Sequence, residues 1–326
     1  MGFGIRIHLP AESARLARYN ENMNASALRE LYSGGLRLDT SEASFGELRV
    51  SSECIGDGSA LRERATEDGY VFLPGFLDRS EVQAVRHSIC ESLANEGVFE
   101  QGTPVDEAIA KPGLEMAFRS DLANASEPLK AFLYGPKVMG FFDTFFGGPA
   151  RHYDYTWMRV VAPGKGSPPH CDIVFMGRGT PNVFTAWIPL GDIPLKTGGL
   201  IILEGSHKDE ELRRTYSAMD VDTACENRDG IREVNAGGYP GFGALSEDAP
   251  GLREAMGGRW LTAEYRMGDF LTFPMFTVHG SLDNQSHEVR LSSDSRYQLA
   301  AEPIDERWVG EHPPGHGGDM IRKLIC

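Results

Sequence analysis

Long apolar runs are missing from this sequence of 326 residues. No window approaches the roughly eighteen uninterrupted apolar residues that a membrane-spanning helix requires. The segment Met1–Arg18 also lacks a charged stretch followed by an apolar stretch and a small-residue cleavage site. We therefore expect a cytoplasmic protein with no membrane partner.

Closely spaced cysteines are absent as well. The five cysteines are scattered along the chain, and no C-x-x-C motif occurs. A disulfide framework or a structural zinc site requires thiolates that lie close together. The sequence therefore predicts reduced thiols throughout. They are Cys54, Cys90, Cys171, Cys225 and Cys326.

The sequence also lacks clusters of basic residues. The formal net charge is −15 at pH 7, and no run of the chain is rich in lysine or arginine. A protein that binds DNA or RNA neutralises phosphates with clustered cations, so no nucleic-acid partner is expected. The composition favours a small-molecule substrate and leaves the oligomeric state open.

What the chain does contain is a series of short strand patterns separated by glycine and proline. Many short strands of this kind favour a β-barrel or sandwich over an alternating α/β fold. Upstream of them, apolar residues at helical spacing from Val82 to Leu93 predict a helix that begins after Asp78. The predicted strands are Tyr70–Leu77, Tyr153–Val161, Asn182–Leu190, Leu200–Leu203, Asp269–Phe273, Phe276–Ser281 and Arg290–Leu299.

One mainly β domain with flanking helices is predicted over residues 61–326. Residues 1–60 are predicted as an N-terminal arm that packs on this domain and contains a short helix at Ala25–Tyr32. A long, polar, glycine-rich segment at residues 206–260 interrupts the strands. A connection of this length within a compact domain is typical of a lid, a substrate loop or a mobile segment, and we predict a lid or substrate loop.

Candidate metal ligands occur at His170 and Asp172. On a strand, residues i and i+2 point to the same face, so both side chains can reach one ion. His279 follows an apolar strand pattern, and Gly280 leaves room for a close backbone approach. Two histidines and one carboxylate form the facial triad that binds non-haem Fe(II) and leaves three positions open. A zinc site with three protein ligands also stays possible.

Other histidines compete for these roles. The chain has nine histidines, and a second H-x-D motif stands at His152–Asp154. That motif lies within a strand pattern, whereas His170–Asp172 directly follows the turn at Pro163–Pro169, where the open end of a barrel is expected. We therefore predict His170–Asp172 as the ligands. His207 competes with His279, and it is predicted to cap or orient a loop.

A cation is predicted inside the barrel, beside the triad. Arg290 lies eleven residues after His279, and Ser292 shares its strand face. A guanidinium inside a barrel is costly unless a carboxylate pairs with it, preferably through two parallel hydrogen bonds. A dicarboxylate cosubstrate would meet that need, and so would a structural salt bridge to one of the many acidic residues.

These residues resemble the phytanoyl-CoA dioxygenase family of Fe(II)/2-oxoglutarate oxygenases. The resemblance extends over roughly Asp68 to Trp308, and the last of its four motifs is the most specific because four residues keep their spacing. The motifs are Asp68-Gly-Tyr with the helix that follows, His170-x-Asp172, Thr185-Ala-Trp-Ile-Pro-Leu-Gly-Asp192 with Gly198-Gly-Leu and Gly205-Ser-His207, and His279-Gly-Ser-x-x-Asn284-x-Ser286-x-x-x-Arg290.

The resemblance implies a double-stranded β-helix, a jelly-roll or cupin-like barrel that holds the metal at its open end. Arg290 would bind the far carboxylate of 2-oxoglutarate, with Ser281 hydrogen-bonding nearby. Trp187 would line the same pocket, and Thr185 shares its strand face. The catalytic metal ligands would be His170, Asp172 and His279.

The activity implied is hydroxylation of a C–H bond with Fe(II), 2-oxoglutarate and O2. Family relatives that halogenate carry a small residue in place of the carboxylate ligand. Because Asp172 is present, hydroxylation or a related oxidation such as desaturation is expected. The chain departs from many members in carrying Lys196-Thr197 where they have an acidic residue before the Gly198 turn. The supporting role of that acidic residue is therefore not transferred to this chain, and the predicted metal site is unaffected.

The substrate is predicted only as a small metabolite. Arg178 can pair with an acidic group on it or lie exposed at the surface. Two other functions stay open, namely a metal-dependent hydrolase that ignores 2-oxoglutarate and a non-catalytic metal-binding module on a cupin-like barrel. The candidate substrate residues are Tyr155, Trp157, Phe175, Arg178 and Asn182.

Overall fold

The computed structural model describes residues 30–222 and 243–316. The strands in these ranges are β1 (Tyr32–Ser33), β2 (Leu36–Arg37), β3 (Phe45–Glu47), β4 (Val71–Leu73), β5 (Ala150–His152), β6 (Trp157–Val161), β7 (Phe184–Pro189), β8 (Leu200–Leu203), β9 (Trp260–Thr262), β10 (Phe270–Pro274), β11 (His279–Ser281) and β12 (Arg290–Leu299). The α-helices are α1 (Gly58–Asp68), α2 (Arg79–Asn95), α3 (Ser120–Ala125), α4 (Glu127–Leu133), α5 (Pro136–Phe146), α6 (Ile173–Met176), α7 (Glu210–Arg214) and α8 (Ala249–Met256). Short 3-10 helices lie at Ser52–Cys54, Val105–Glu107, Leu195–Thr197, Ser206–Lys208, Tyr216–Ala218 and Glu306–Trp308.

Two sheets form the framework. The major sheet has the order β4-β10-β7-β12, and both β5 and β6 pair with the remaining edge of β12. The minor sheet has the order β11-β8-β9-β3, and its pairing is antiparallel except between β3 and β9. The predicted mainly β fold with flanking helices is therefore confirmed, and the jelly roll takes the form of a two-sheeted sandwich rather than a closed barrel.

The major sheet separates an apolar outer face from a polar inner face. On β12, Leu291 and Tyr297 lie in the hydrophobic core together with residues of α1, α2, α4 and α5. The alternate residue Arg290 donates instead to the carbonyl of Gly198, beside the minor sheet. Successive side chains of a strand point to opposite faces. β12 therefore contributes side chains both to the hydrophobic core under the helices and to the space between the two sheets.

The helix predicted after Asp78 is confirmed as α2. The Asp78 carboxylate accepts hydrogen bonds from the main-chain N–H groups of Ser80 at 2.8 Å and Glu81 at 3.0 Å. These bonds satisfy donors that the first helical turn leaves without partners. The apolar stripe of the helix is buried against the outer face of the major sheet, through Val82, Val85, Ile89 and Leu93.

The predicted N-terminal arm lies only partly within the described residues. Most of the predicted helix at Ala25–Tyr32 falls outside them, and Tyr32 itself begins β1 rather than ending a helix. Further along the arm, β3 pairs in parallel with β9 and so forms a strand of the minor sheet. The division of the chain at residue 60 stays a prediction.

Three of the five cysteines lie within the described residues. Cys54, Cys90 and Cys171 are buried and unbonded, and the other two lie outside the described ranges. Burial raises the pKa of the Cys90 thiol to about 11, so this thiol is protonated at neutral pH. None of the helices in residues 30–222 and 243–316 has the length and apolar character needed to cross a membrane.

Replacing Asp78 by alanine tests the cap of α2. We expect Asp78→Ala to lower the free energy of unfolding by about 1 kcal/mol, because two main-chain donors lose their acceptor. Gln83→Ala, an exposed change in the same helix, is the control and should shift that value by less than about 0.5 kcal/mol. Equal urea denaturation curves for Asp78→Ala and the wild type would show that the cap contributes nothing.

Candidate metal centre

The three predicted ligands lie close together between the two sheets. The main chains of His170 and His279 exchange two hydrogen bonds, of 2.9 and 3.0 Å. The Nε2 atom of each histidine lies 3.9 Å from Oδ1 of Asp172. One ligand atom from each of the three residues lies within 4.8 Å of the others. The arrangement therefore leaves a gap between donor atoms in which one ion can be held.

The local backbone differs from the strand that the H-x-D motif predicts. His170 forms a single bridge with His279. Asp172 has helical backbone angles, φ −64° and ψ −26°, and α6 begins directly after it. The two side chains thus approach one point because the chain turns from a bridge into a helix, and not because of strand alternation.

Main-chain carbonyls determine which nitrogen of each histidine is free. Nδ1 of His170 lies 2.8 Å from the carbonyl oxygen of Pro168, and Nδ1 of His279 lies 3.0 Å from that of Thr277. A carbonyl only accepts hydrogen bonds, so Nδ1 carries the proton and Nε2 presents a lone pair. Burial lowers the pKa of His170 to about 3 and also lowers that of His279. Both imidazoles are therefore neutral at pH 7, as metal ligation requires.

The Asp172 carboxylate is held from two sides by the major sheet. Thr185 on β7 donates its hydroxyl to Oδ2. Arg296 on β12 places Nη2 2.9 Å from Oδ1. These two residues stand directly opposite each other in the pairing of β7 with β12. The register of one strand pair therefore sets the orientation of the carboxylate, with Oδ1 directed at both Nε2 atoms.

Arg296 is the functional residue that sequence reasoning missed. It is only 1% exposed, and its guanidinium lies 4.1 Å from the ring centroid of Trp157. Burial acts to raise the pKa of Asp172, but the charge of Arg296, the two histidines and the hydrogen bond from Thr185 together outweigh burial and hold that pKa well below its usual range. The available sequence signal was the inward alternation of β12, which places Arg296 on the same face as Arg290.

Arg290 lies on the inner face of the major sheet, as predicted. Its Nη1 donates to the carbonyl of Gly198, and its Nε is buried without a hydrogen-bond partner among the described residues. Burial lowers the pKa of Arg290 to about 10, so the group remains charged at neutral pH. A buried guanidinium with an unused donor is suited to bind a carboxylate.

Ser281 and Trp187 lie on opposite sides of the interior. The hydroxyl oxygen of Ser281 accepts a 2.8 Å hydrogen bond from the main-chain N–H of Ser167. A Cβ atom on Gly280 would lie 2.9 Å from the Ser167 carbonyl oxygen, so this close approach requires glycine. The ring of Trp187 packs on that of Tyr265, with centroids 4.6 Å apart.

Two of the predicted substrate residues lie beside the triad. The ring of Phe175 contacts that of His170 edge-on, at 5.8 Å between centroids. Trp157 contacts Arg296, as described above, and packs on Trp308 at 4.7 Å. These aromatic rings form an apolar surface next to the ligand atoms.

The other three predicted substrate residues have protein partners. Tyr155 packs on Trp157, and its hydroxyl hydrogen-bonds with that of Ser120 at 2.7 Å. Asn182 donates to both carboxylate oxygens of Glu302, at 3.2 and 3.3 Å. Arg178 is exposed and donates its Nε to Asp220 at 2.6 Å.

The competing histidines have structural partners. His152 stacks on Tyr134 with 3.8 Å between ring centroids, and its Nδ1 lies 2.8 Å from the carbonyl oxygen of Tyr153. His207 Nε2 lies 3.0 Å from the carbonyl oxygen of Thr66. Within the described ranges, the triad is the one cluster of three such side chains with metal-binding spacing.

An Arg296→Met variant tests the role of that residue. Removing one partner of a buried ion pair leaves an unpaired charge, so we expect the metal-free variant to lose about 3–5 kcal/mol of stability. A bound divalent ion would restore a cation beside Asp172. Added Ni2+ should therefore raise the melting temperature of the variant more than that of the wild type, as measured by differential scanning fluorimetry.

Arg86→Met is the matched control. Arg86 is also buried, but it donates to the main-chain carbonyls of Leu190 and Asp106 and not to the triad. This control should lose stability and keep the wild-type response to Ni2+. A smaller response in Arg296→Met than in the wild type would contradict the assigned role.

Comparison with known proteins agrees with this geometry. The family described as Phytanoyl-CoA dioxygenase (PhyH) matches residues 65–292. The 1-deoxypentalenic acid 11-beta-hydroxylase of Streptomyces arenae is 28% identical over 276 residues, which cover 79% of this chain and 87% of that protein.

Solved structures share the fold. The carbocyclase SnoK from nogalamycin biosynthesis, described as non-haem and α-ketoglutarate dependent, superposes with a TM-score of 0.54 at 22% identity, covering 79% of this chain and 89% of SnoK. EctD from S. alaskensis superposes with a TM-score of 0.55 at 15% identity, covering 88% and 90% of the two chains. With the family match across most of the sequence, the chain belongs to the phytanoyl-CoA dioxygenase family of Fe(II)- and 2-oxoglutarate-dependent oxygenases.

Proposed function

We propose that this protein hydroxylates a C–H bond of a small organic metabolite, with His170, Asp172 and His279 as its iron ligands. The observation that carries the proposal is the convergence of two unprotonated Nε2 atoms on Oδ1 of one fixed carboxylate. Two imidazoles and one carboxylate suit non-haem Fe(II) and leave coordination positions open for cosubstrate and O2.

Arg290 is proposed to anchor the cosubstrate 2-oxoglutarate. Its buried Nε lacks a partner among the described residues, and a carboxylate would both satisfy that donor and neutralise the charge. Ser281 and Trp187 are proposed to line the same pocket. Thr185 shares the inner face of β7 with Trp187, and its proposed contribution passes through the hydrogen bond to Asp172.

The protein itself positions the ligands and the substrate, and it excludes water from the site. Iron with 2-oxoglutarate and O2, when bound, supplies the oxidising chemistry. Thr185 and Arg296 hold Asp172 with one oxygen facing the histidines. The aromatic rings of Phe175 and Trp157 contact His170 and Arg296, and they are proposed to keep water away from a bound substrate.

The rival functions lack such support. A metal-dependent hydrolase would have no use for the buried guanidinium of Arg290. A non-catalytic binding module would be expected to lack a ligand or this arginine, and both are present. The relative in Streptomyces arenae is named for the hydroxylation of 1-deoxypentalenic acid, which supports a small-molecule substrate here.

The segment at residues 206–260 is proposed to act as the predicted lid or substrate loop. Its described portions, before residue 223 and after residue 242, bond to Cys171 within the H-x-D motif and to Pro169 directly before it. The Tyr216 hydroxyl accepts from the main-chain N–H of Cys171 at 3.2 Å and donates to the carbonyl of Gly243. The N–H of Leu245 donates to the carbonyl of Pro169 at 2.8 Å.

A cytoplasmic location is proposed as well. Three buried cysteines are unbonded, and free thiols persist in reducing compartments. Trapping the free thiols in intact cells would test this location, since oxidised cysteines would count against it.

Anaerobic titration with 2-oxoglutarate tests the proposed function. The Fe(II)-loaded protein should develop a visible charge-transfer band as the cosubstrate chelates the metal. His170→Ala should abolish the band, and Arg290→Met should weaken 2-oxoglutarate binding by about 10- to 100-fold, because charge-assisted hydrogen bonds are lost. Absence of the band from the wild type would refute the proposed function.

His152→Ala is the matched control for the choice of ligands. Because His152 belongs to the competing H-x-D motif and stacks on Tyr134, its loss should leave the band unchanged. A band that disappears in His152→Ala and persists in His170→Ala would reverse the assignment of the ligands.

A further inference from the structure

Arg159 is a third arginine on the inner face of the major sheet. In the pairing of β6 with β12 it stands opposite Ser292, which lies between Arg290 and Asp294 on that face. Trp157 shares this face of β6 with Arg159, and the Trp157 ring contacts the guanidinium of Arg296. Arg159 therefore lies on the same face as the residues that hold Asp172, although the function proposed above assigns it no task.

Arg159 differs from the other two inner arginines in its access to solvent. Its side chain is 21% exposed, whereas Arg290 is 3% and Arg296 is 1% exposed. The guanidinium of Arg159 is thus accessible to a molecule in solvent, whereas the other two are enclosed.

Part of the Arg159 guanidinium is free to bind a ligand. Its Nε donates to Oδ2 of Asp294 at 2.8 Å. Neither Nη atom has a hydrogen-bond partner among the residues described by the structure. The bond through Nε fixes the plane of the group, and the Nη edge keeps the two parallel donors that match a carboxylate.

The charges on this inner surface do not balance. Among the residues that the structure describes there, three arginines face two carboxylates, those of Asp172 and Asp294. A divalent metal ion and the dicarboxylate 2-oxoglutarate cancel each other, so one positive charge remains in excess after both have bound. Unpaired charge in a partly buried site is costly, and one further monoanion would remove the excess.

Apolar surface adjoins the free edge of Arg159. Phe118 pairs directly opposite Arg159 at the outer edge of β6, and paired residues of neighbouring strands share a face. The guanidinium lies 5.5 Å from the Phe118 ring centroid. Phe118 is 39% exposed, one of few large apolar side chains so exposed in the described ranges. Trp157 lies on the same face, two residues before Arg159.

We propose that Arg159 and Phe118 form a substrate subsite for an apolar molecule that carries a single carboxylate. The carboxylate pairs with the Nη edge of Arg159, and the apolar body lies along Phe118 and Trp157. This proposal rests on the proposed function and specifies the class of substrate. Arg159, and not the predicted Arg178, is the residue assigned to an acidic group, since Arg178 already pairs with Asp220 and Asp222.

Paired neutral and anionic probes test the subsite. Adamantane-1-carboxylate and adamantane-1-carboxamide have the same apolar cage and differ in charge. Isothermal titration into the anaerobic Fe(II)/2-oxoglutarate-loaded protein should show at least about tenfold tighter binding of the acid. Arg159→Leu should reduce that preference to about one, and Arg159→Lys should retain part of it.

Three further variants keep the result interpretable. Arg159→Leu combined with Asp294→Asn removes the pair without leaving an unpaired charge, so it covers the case in which the single variant fails to fold. Arg178→Leu removes an exposed arginine with carboxylate partners and should keep the preference for the acid. Phe118→Ala should weaken both probes by a similar factor, because it removes apolar contact and no charge.

The outcomes separate this subsite from the proposed function. Equal binding of the two probes to the wild type, or an unchanged preference in Arg159→Leu, would overturn the subsite while leaving the 2-oxoglutarate band intact. Loss of 2-oxoglutarate binding in Arg159→Leu would also overturn it, by assigning Arg159 to the cosubstrate. If the wild type shows no band at all, the proposed function fails, whatever the preference between probes.

Discussion

The carboxylate of Asp172 is enclosed between two sheets, where an isolated negative charge is unfavourable. Its surroundings offset that cost through a hydroxyl on one oxygen and a guanidinium on the other. Both donors come from neighbouring strands in direct register. The two histidines approach the same oxygen from the side of the minor sheet. The packing of the two sheets and the register of β7 with β12 thus both act on Asp172, which is also a proposed metal ligand.

The charged residues of β12 also lie on the face that is turned toward Asp172. Alternation along this strand directs Arg290, Ser292, Asp294 and Arg296 inward, while Leu291 and Tyr297 enter the core beneath the helices. Such a polar inner face would be unfavourable in an empty sandwich. This face is suited to bind a metal ion, a dicarboxylate and a substrate. Each bound group provides an interaction partner for the charged side chains that are buried away from water.

Local patterns predicted much of this arrangement. The apolar spacing of α2 and its Asp78 cap are properties of a short segment, and β8 and β12 have the bounds predicted from their own residues. The candidate ligands could be chosen because His170–Asp172 and His279–Arg290 each keep family spacing within one stretch of chain.

Other features depend on contacts that no local pattern contains. Arg296 meets Asp172 only because β12 pairs with β7 in one register. Arg178 is engaged by Asp220, more than forty residues away. The turn into α6 that brings Asp172 towards His170 also depends on packing: the N–H of Ile173 donates to the carbonyl of Met275 at 3.2 Å. Strand alternation therefore predicted that the side chains of His170 and Asp172 lie close together, which the structure shows, but it predicted the wrong local backbone.

The most direct test of the account is anomalous diffraction at the iron edge, from anaerobic crystals of the protein with Fe(II) and 2-oxoglutarate. The account predicts one iron peak bonded to Nε2 of His170, Nε2 of His279 and Oδ1 alone of Asp172. Arg290 should contact the far carboxylate of the cosubstrate in the same map. An iron peak beside His152–Asp154, or iron bonded to both oxygens of Asp172 with Arg296 displaced, would contradict it.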